Sequence, residues 1–202
     1  ELLISQKDLR VQDPTSANAL SLASSLQPRR ILDVCAGRGT KTKQLRAMFP
    51  DAFIGATEPH NSRRTSLLEI SKEFNIHVFL PDSEGPTEPF DLVLADVPCS
   101  NSGVFARRPE AKYRYNKKNI DSVVELQRSI LAEAIEVLHP KGHLLYATCS
   151  IESEENESQS NWIRKKQKLI ECDCVKTIPS GQPNSDPSGW HDGGYASLLQ
   201  AS

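Results

Sequence analysis

Long hydrophobic runs are missing from the 202-residue sequence. No apolar stretch approaches the roughly 20 residues that a membrane-spanning helix needs. Residues 1–4 also lack the basic and long apolar segments of a signal peptide. There is no initiator methionine, which suggests a fragment or a processed form. These absences predict a cytoplasmic protein with no membrane partner.

A strong charge of one sign is also lacking, because the formal net charge is only −2. A free-standing nucleic-acid-binding protein is usually basic. If this chain binds nucleic acid, either its basic residues are locally concentrated or another domain supplies the affinity.

The cysteines are odd in number and have no secreted context, so reduced, intracellular thiols are expected. They are Cys35, Cys99, Cys149, Cys172 and Cys174. No metal site is expected, because Cys172 and Cys174 lie in one predicted strand without a partner pair. His139 and His143 flank a proline and a glycine and therefore do not share a helical face.

Apolar segments alternate between strand-like and helix-like patterns. Strands are predicted at residues 30–34, 52–57, 77–80, 90–95 and 143–148, with a last strand at 195–199. Helices are predicted within residues 9–26 and at 40–48, 62–74, 120–138 and 153–168. The last helix would begin with Glu154 and Glu155, whose charges suit the positive end of a helix dipole. The alternation predicts an α/β domain with a mainly parallel, doubly wound sheet.

Such sheets bind ligands beyond the carboxyl ends of their strands. The first strand leads into a turn with Gly37 and Gly39, which allow the backbone to approach a ligand closely. The spacing is not that of a phosphate-binding loop. Glu58 follows the second strand at the distance of an acid that binds ribose hydroxyls, and Asp82 follows the third, where it could face an adenine. The alternatives are a tight connection for the glycines and solvated loop acids for Glu58 and Asp82.

Two cysteines follow the next two strands. Asp96 and Cys99 lie at the end of the fourth strand, and Cys149 lies at the end of the fifth. A single free cysteine is usually a small buried hydrophobic residue. If the two strands are neighbours, they lie about 5 Å apart. Both thiols and the carboxylate would then face one pocket.

A basic segment at residues 107–118 lies between the two cysteine motifs. It predicts a surface that grips phosphates and stacks on bases; the alternative is a solvated, charged loop. The candidate RNA-binding residues are Arg107, Arg108, Lys112, Tyr113 and Arg114.

Residues 96–104 (Asp-Val-Pro-Cys-Ser-Asn-Ser-Gly-Val), 146–150 (Tyr-Ala-Thr-Cys-Ser) and 154–156 (Glu-Glu-Asn) carry a family resemblance. The chain resembles the RNA cytosine-5 methyltransferases, in particular the bacterial RsmB (Sun/Fmu) branch, kin of the Nol/Nop/Sun proteins. The resemblance runs from residue 11 to residue 195. Paired Pro-Cys and Thr-Cys motifs are typical of RNA enzymes of this type.

This resemblance implies a Rossmann-like class I methyltransferase fold with an antiparallel C-terminal strand. Residues 1–202 would be the catalytic domain, with residues 1–28 as a lead-in and without the family's N-terminal RNA-binding domain. The implied activity is methyl transfer from S-adenosyl-L-methionine to carbon 5 of an unpaired or flipped-out cytosine in RNA, by resemblance ribosomal RNA. Cys149 would be the nucleophile, Cys99 would assist product release and Asp96 would bind the base. The implied cofactor-binding residues are Cys35, Ala36, Gly37, Arg38, Gly39, Thr40, Lys41, Glu58, Asp82 and Asp96.

The cofactor turn departs from the family pattern Asp-x-Cys-Ala-Ala-Pro-Gly-Gly-Lys-Thr. Gly37, Arg38 and Thr40 replace its second alanine, its proline and its second glycine. This departure motivates one alternative, a non-catalytic RNA-binding or scaffold paralogue, against which both cysteines and Asp96 argue. A second alternative is a methyltransferase that acts on protein or a small molecule, which the basic segment and the paired cysteines disfavour.

Overall fold

The computed structural model describes residues 12–201 except for 82, 84 and 182–185. Its strands are β1 (Arg30–Asp33), β2 (Phe53–Thr57), β3 (Ile76–Phe79), β4 (Phe90–Asp96), β5 (Leu138–Thr148), β6 (Ile170–Thr177) and β7 (Gly194–Gln200). Its α-helices are α1 (Pro14–Asn18), α2 (Thr40–Met48), α3 (Asn61–Ser71), α4 (Lys117–Glu136) and α5 (Glu157–Gln167). Short 3₁₀ helices cover Ala19–Ala23, Ser102–Val104, Pro109–Arg114 and Pro187–Gly189.

The strands of the described ranges form one sheet with the order β3-β2-β1-β4-β5-β7-β6. The first five strands in this order are parallel. β7 runs antiparallel to both β5 and β6. The arrangement confirms the predicted α/β fold, a mainly parallel sheet with an antiparallel C-terminal strand. The carboxyl ends of β1, β2, β4 and β5 therefore meet at one edge of the sheet.

Helices cover both faces of this sheet. Ile31 and Leu32 of β1 belong to the two separate cores, because successive strand residues point to opposite faces. One core includes Leu45 of α2 and Leu67 of α3, and the other includes Leu131 of α4. Each fully buried leucine contributes about 1.5–3 kcal/mol to stability. This packing fixes the sheet edge on which the loops of the site are built.

The helix predicted within residues 9–26 is wrong in extent, and residues 9–11 lie outside the described residues. α1 has only 5 residues, and the chain continues as the 3₁₀ helix Ala19–Ala23. A 3₁₀ helix has three residues per turn, so Leu20 and Ala23 fall on one side, where both are buried. The Ser21 hydroxyl donates to the Asn18 carbonyl at 2.6 Å, a local bond that competes with the α-helical pattern.

The helix predicted at residues 153–168 begins later than expected. α5 starts at Glu157, and residues 153–156 form turns. Glu155 is fully buried and accepts hydrogen bonds from serine hydroxyls instead of facing a helix end. The prediction from charge was wrong here because the sequence alone does not distinguish a buried, hydrogen-bonded acid from a solvated acid at the start of a helix.

Candidate active site

The edge formed by the strand carboxyl ends brings Cys99 and Cys149 together. β4 and β5 are parallel neighbours, and Cys99 and Cys149 follow them. Their Sγ atoms are 3.0 Å apart, and both thiols are free. They line a cleft of about 1980 Å³ that the 35–38 turn and Glu58 also line.

The two thiols of this pair differ in acidity. The hydrogen bond from Cys99 lowers the pKa of Cys149; burial opposes this effect, while Lys41 and Arg108 add to it. The same bond, together with burial, raises the pKa of Cys99 well above its ordinary value. In its protonated form Cys149 donates to Asn101 Oδ1, 3.2 Å away. Cys149 is therefore the thiol that loses its proton more readily, and the thiolate is the nucleophilic form.

Lys41 and Asp96 form an ion pair beside the thiols. Lys41 Nζ, on the first turn of α2, donates to Asp96 Oδ2 at 2.8 Å and to Ser16 Oγ at 3.0 Å. Burial lowers the pKa of Lys41, but the attraction of Asp96 outweighs burial and leaves the pKa raised. The ammonium group therefore stays charged, and it fixes one oxygen of Asp96 at the end of β4.

The turn after β1 packs against Glu58. Gly37 and Gly39 have positive φ angles of 58° and 84°, which glycine adopts readily. The Glu58 side chain is 4 % exposed, and its carboxylate accepts from the backbone N–H groups of Gly37 at 2.9 Å and His60 at 2.7 Å. A carboxylate has about four acceptor positions, so Glu58 can also accept from hydroxyl groups of a ligand. The turn and the acid together fit the ribose of a nucleoside such as that in S-adenosylmethionine.

The residues that depart from the family pattern leave the shape of this turn intact. Arg38 and Thr40 are exposed. Thr40 is the first residue of α2 and is not among the described non-glycine residues with a positive φ, so its position needs no glycine. Ala36 is only 8 % exposed. Burial raises the pKa of Cys35, which keeps that thiol protonated.

Arg107, a predicted RNA-binding residue, is bound within the protein. Its Nε donates to Asp192 Oδ2 at 2.8 Å, and a terminal nitrogen contacts the same oxygen. The Asp192 carbonyl accepts from Thr15 Oγ1 at 2.7 Å, and its N–H donates to Asp13 Oδ2 at 3.1 Å. The ion pair thus ties the loop after β4 to the segments before β7 and around α1.

The other predicted RNA-binding residues lie on the surface around the cleft. Arg108 and Arg114 line the cleft, and Lys112 and Tyr113 are exposed on the 3₁₀ helix Pro109–Arg114. Tyr113 is 91 % exposed. Arg108 and Arg114 are therefore placed to meet a ligand in the cleft, and the contact of all four side chains with RNA stays a prediction.

Asp82, a predicted cofactor-binding residue, lies outside the described residues. Two other acids of the site, Asp33 and Glu155, were not predicted as site residues from the sequence. Asp33 is 1 % exposed, and burial raises its pKa to about 7. Glu155 is 0 % exposed. The available signal was position: Asp33 ends the strand before the cofactor turn, and Glu155 belongs to the Glu-Glu-Asn segment after the second cysteine motif.

The described ranges show neither a metal centre nor a membrane span. They contain no group of three or more His, Cys, Asp or Glu side chains that could hold a metal ion. None of their helices is both long enough and apolar enough to cross a membrane.

The sheet order and the cleft at its carboxyl edge define a class I S-adenosylmethionine-dependent methyltransferase fold. Among solved structures, the crystal structure of NSun6 from Pyrococcus horikoshii with SFG matches with a TM-score of 0.75, and 22 % of the aligned residues are identical. The match covers 98 % of this chain and 56 % of that one. At this identity the likeness shows the fold.

The chain belongs to the family described as 16S rRNA methyltransferase RsmB/F, which matches residues 20–186. Ribosomal RNA small subunit methyltransferase B of Klebsiella pneumoniae (strain 342) is 33 % identical over an alignment of 199 residues, and the match covers 94 % of this chain and 46 % of that protein. The protein of the same name from Vibrio cholerae serotype O1 is 35 % identical over an alignment of 156 residues, and the match covers 74 % of this chain and 36 % of that protein. The chain thus spans less than half the length of these curated relatives. The predicted membership of the RsmB branch is confirmed.

Proposed function

We propose that this domain transfers the methyl group of S-adenosylmethionine to carbon 5 of a cytosine in RNA, with Cys149 as the covalent nucleophile. The observation that carries the proposal is the thiol pair: the Sγ atoms are 3.0 Å apart, and the pKa is lowered for Cys149 and raised for Cys99. The curated relatives are ribosomal RNA methyltransferases by name. A ribosomal RNA cytosine is therefore the proposed substrate.

The chemistry of cytosine explains why a thiolate is needed. Carbon 5 of the ring is a poor nucleophile. Addition of the Cys149 thiolate to carbon 6 converts the ring into an enamine, in which carbon 5 is electron-rich, so one difficult step becomes two easier ones. Lys41 and Arg108, which lower the pKa of Cys149, stabilise the thiolate before the addition.

The ion pair of Asp96 and Lys41 would orient the base. Lys41 holds one oxygen of Asp96 at 2.8 Å. The other oxygen is proposed to accept from the amino group or the protonated N3 of cytosine, which stabilises the charge that develops during addition. Carbon 6 is inaccessible in a stacked helix, so the cytosine must be unpaired or flipped out to reach Cys149.

The cofactor would lie against the turn after β1. Backbone groups of residues 35–41 and the Glu58 carboxylate would hold it, with Glu58 accepting from ribose hydroxyls; Asp82 is kept as the proposed adenine contact. When bound, S-adenosylmethionine supplies an electrophilic methyl group. The alternative of a non-catalytic paralogue rested on Arg38 and Thr40, and their exposure with an intact turn favours the enzyme.

Product release needs a second group. After methylation, carbon 5 carries both the new methyl group and a proton. Removal of that proton lets the electron pair of the C–H bond form the double bond between carbons 5 and 6, which expels the Cys149 thiolate. Cys99, whose Sγ lies 3.0 Å from Cys149 Sγ, is proposed to accept that proton as a thiolate. The hydrogen bond with Cys149 that raises its pKa is lost once Cys149 is bonded to carbon 6.

Substitution of each cysteine tests the proposal. Cys149→Ala should abolish methyl transfer because no covalent addition can occur, whereas Cys99→Ala should accumulate a protein–RNA adduct that survives denaturing electrophoresis. Cys172→Ser, on an exposed part of β6, is the control and should behave like the wild type. Mass spectrometry of digested RNA detects 5-methylcytosine. Methylation of carbon 5 by the Cys149→Ala variant would refute the assigned roles.

A further inference from the structure

A buried carboxylate connects the two cysteine motifs. The Glu155 side chain is 0 % exposed. Its Oε1 accepts from the Ser100 N–H at 2.7 Å and from Gln127 Nε2 at 3.4 Å. Its Oε2 accepts from Ser100 Oγ at 2.5 Å and from Ser150 Oγ at 2.6 Å. These donors fill about all the acceptor positions of an ionised carboxylate.

The donors come from the residues next to the two reactive thiols. Ser100 directly follows Cys99, and Ser150 directly follows Cys149. Gln127 of α4 adds a further connection, because its Nε2 also donates to the carbonyl of Pro98 at 2.9 Å, and Pro98 directly precedes Cys99. One carboxylate thus binds both loops that carry the thiols.

Asn156 reinforces the same arrangement on the Cys149 side. Its Oδ1 accepts from Thr148 Oγ1 at 2.6 Å, and its Nδ2 donates to the Ser150 carbonyl at 2.9 Å. Both residues that flank Cys149 are therefore held by the segment before α5. The Ser102 and Ser150 hydroxyls lie 3.1 Å apart, which adds a direct link between the two loops.

We propose that Glu155 is a positioning residue that sets the separation of the Cys99 and Cys149 sulfur atoms by binding Ser100 and Ser150 with one carboxylate. The catalytic meaning of this role rests on the function proposed above. A buried carboxylate is strongly disfavoured without hydrogen-bond donors, so the donors must converge on it. Because they converge from both loops, the carboxylate restricts the relative position of the loops.

The contact between the two sulfur atoms, 3.0 Å apart, links the position of Cys99 to the acidity of Cys149. The hydrogen bond from Cys99 is the largest influence that lowers the pKa of Cys149. The charged groups that also face Cys149 are Asp96 at the end of β4, Lys41 on α2, and Arg107 and Arg108 in the loop after β4. None of these four bonds to the Glu155 carboxylate in the described structure, so loosening the Glu155 contacts should act on Cys149 mainly through the position of Cys99.

The test is the alkylation of Cys149 by iodoacetamide in the intact protein, followed by peptide mass spectrometry from pH 6 to pH 10. Glu155→Gln keeps the size of the side chain but removes its charge. In this variant we expect the pKa of the Cys149 thiol to rise by about one unit. Near neutral pH this slows alkylation about tenfold, because less of the thiol is ionised. Glu154→Gln is the matched control, because Glu154 is the exposed neighbour; it should alkylate at the wild-type rate.

A double-mutant cycle separates positioning from general loosening. In a Cys99→Ala background the hydrogen bond to Cys149 is already lost, so Glu155→Gln should have no further effect on alkylation. An equal effect of Glu155→Gln with and without Cys99, or no effect in a folded protein, would overturn the inference.

If Glu155→Gln fails to fold, Ser100→Ala provides a milder test, because it removes only one donor to the carboxylate. It should also slow the alkylation of Cys149, and an unchanged rate would again overturn the inference. The assay needs no RNA, so an alkylation effect in a protein without methyltransferase activity would support positioning while refuting the proposed function.

Discussion

Among single residues, Asp33 is a buried acid of the site to which the proposed reaction assigns no role. Asp33 ends β1 beneath the cofactor turn, where Thr42 Oγ1 donates to its Oδ2 at 2.7 Å. Its Oδ1 has no hydrogen-bond partner among the described residues. Burial is the main reason that its pKa rises to about 7, although the bond from Thr42 opposes the shift. Asp33 therefore resists ionisation in the folded protein.

This raised pKa predicts a pH dependence of stability that Asp33→Asn should remove. The folded pKa is near 7 and the ordinary value is 3.8, so the folded state binds the proton more tightly. The stabilising contribution is complete below about pH 4 and is lost as the pH rises through 7. Between pH 4.5 and 7.5, the wild type should lose a few kcal/mol more unfolding free energy than the variant. Urea denaturation at both pH values measures the difference.

The exposed Asp51 provides the control. Asp51→Asn should keep the wild-type pH dependence because its carboxylate is solvated. Asp33 Oδ1 has no hydrogen-bond partner among the described residues, so an NH₂ group in its place would be buried without an acceptor. Asp33→Asn should therefore be less stable by about 1–3 kcal/mol at every pH. The comparison between pH values cancels that cost. Equal pH dependence in Asp33→Asn and the wild type would contradict the prediction.

At the scale of secondary structure, the sequence predicts elements wherever an apolar pattern decides between strand and helix. The parallel strands and α2 to α4 were found this way, because their buried faces impose a regular spacing. The division of the segment around α1 could not be predicted, since α-helical and 3₁₀ spacing both place Leu20 and Ala23 on the same buried side. The start of α5 was missed because the burial of Glu155 depends on serines that lie 5 and 55 residues away.

The turn between β1 and α2 offers a test of how much its glycines contribute. At Gly39, a Cβ atom would lie 2.3 Å from Ile70 Cδ1, and φ is 84°. At Gly37, φ is 58° but no atom lies within 4 Å of an added Cβ. Gly39→Ala should therefore lower the unfolding free energy by about 2 kcal/mol or more, since strained backbone and packing both contribute.

Gly37→Ala is the matched variant, and its cost should be about 1 kcal/mol because only the backbone is strained. Urea denaturation of the two variants measures both costs. Equal destabilisation would show that contact with α3 does not contribute at Gly39. The family pattern has alanine at the position of Gly37 and glycine at that of Gly39, which agrees with the smaller cost expected at position 37.

At the scale of the whole molecule, the positions of the functional groups follow from topology more than from local pattern. The meeting of Cys99 and Cys149 could be predicted because parallel neighbours bring strand ends together. The binding of Arg107 to Asp192 could not, because the two residues are 85 positions apart and joined only by the fold. The net charge of −2 likewise does not reveal that Arg108 and Arg114 line the cleft.

This distribution predicts how salt affects RNA binding. Each cation that neutralises a phosphate of a single strand contributes about −0.7 to the slope of log affinity against log salt concentration. Arg108→Ala and Arg114→Ala should each make the slope less steep by about this amount, because both side chains line the cleft. Arg107→Ala should change the slope less and the stability more, since its guanidinium is paired with Asp192.

The control is Lys165→Ala, because Lys165 is exposed on α5. Fluorescence anisotropy with a cytosine-containing RNA at several salt concentrations gives the slopes. Slopes for Arg108→Ala and Arg114→Ala that match that of Lys165→Ala would show that the phosphates bind elsewhere.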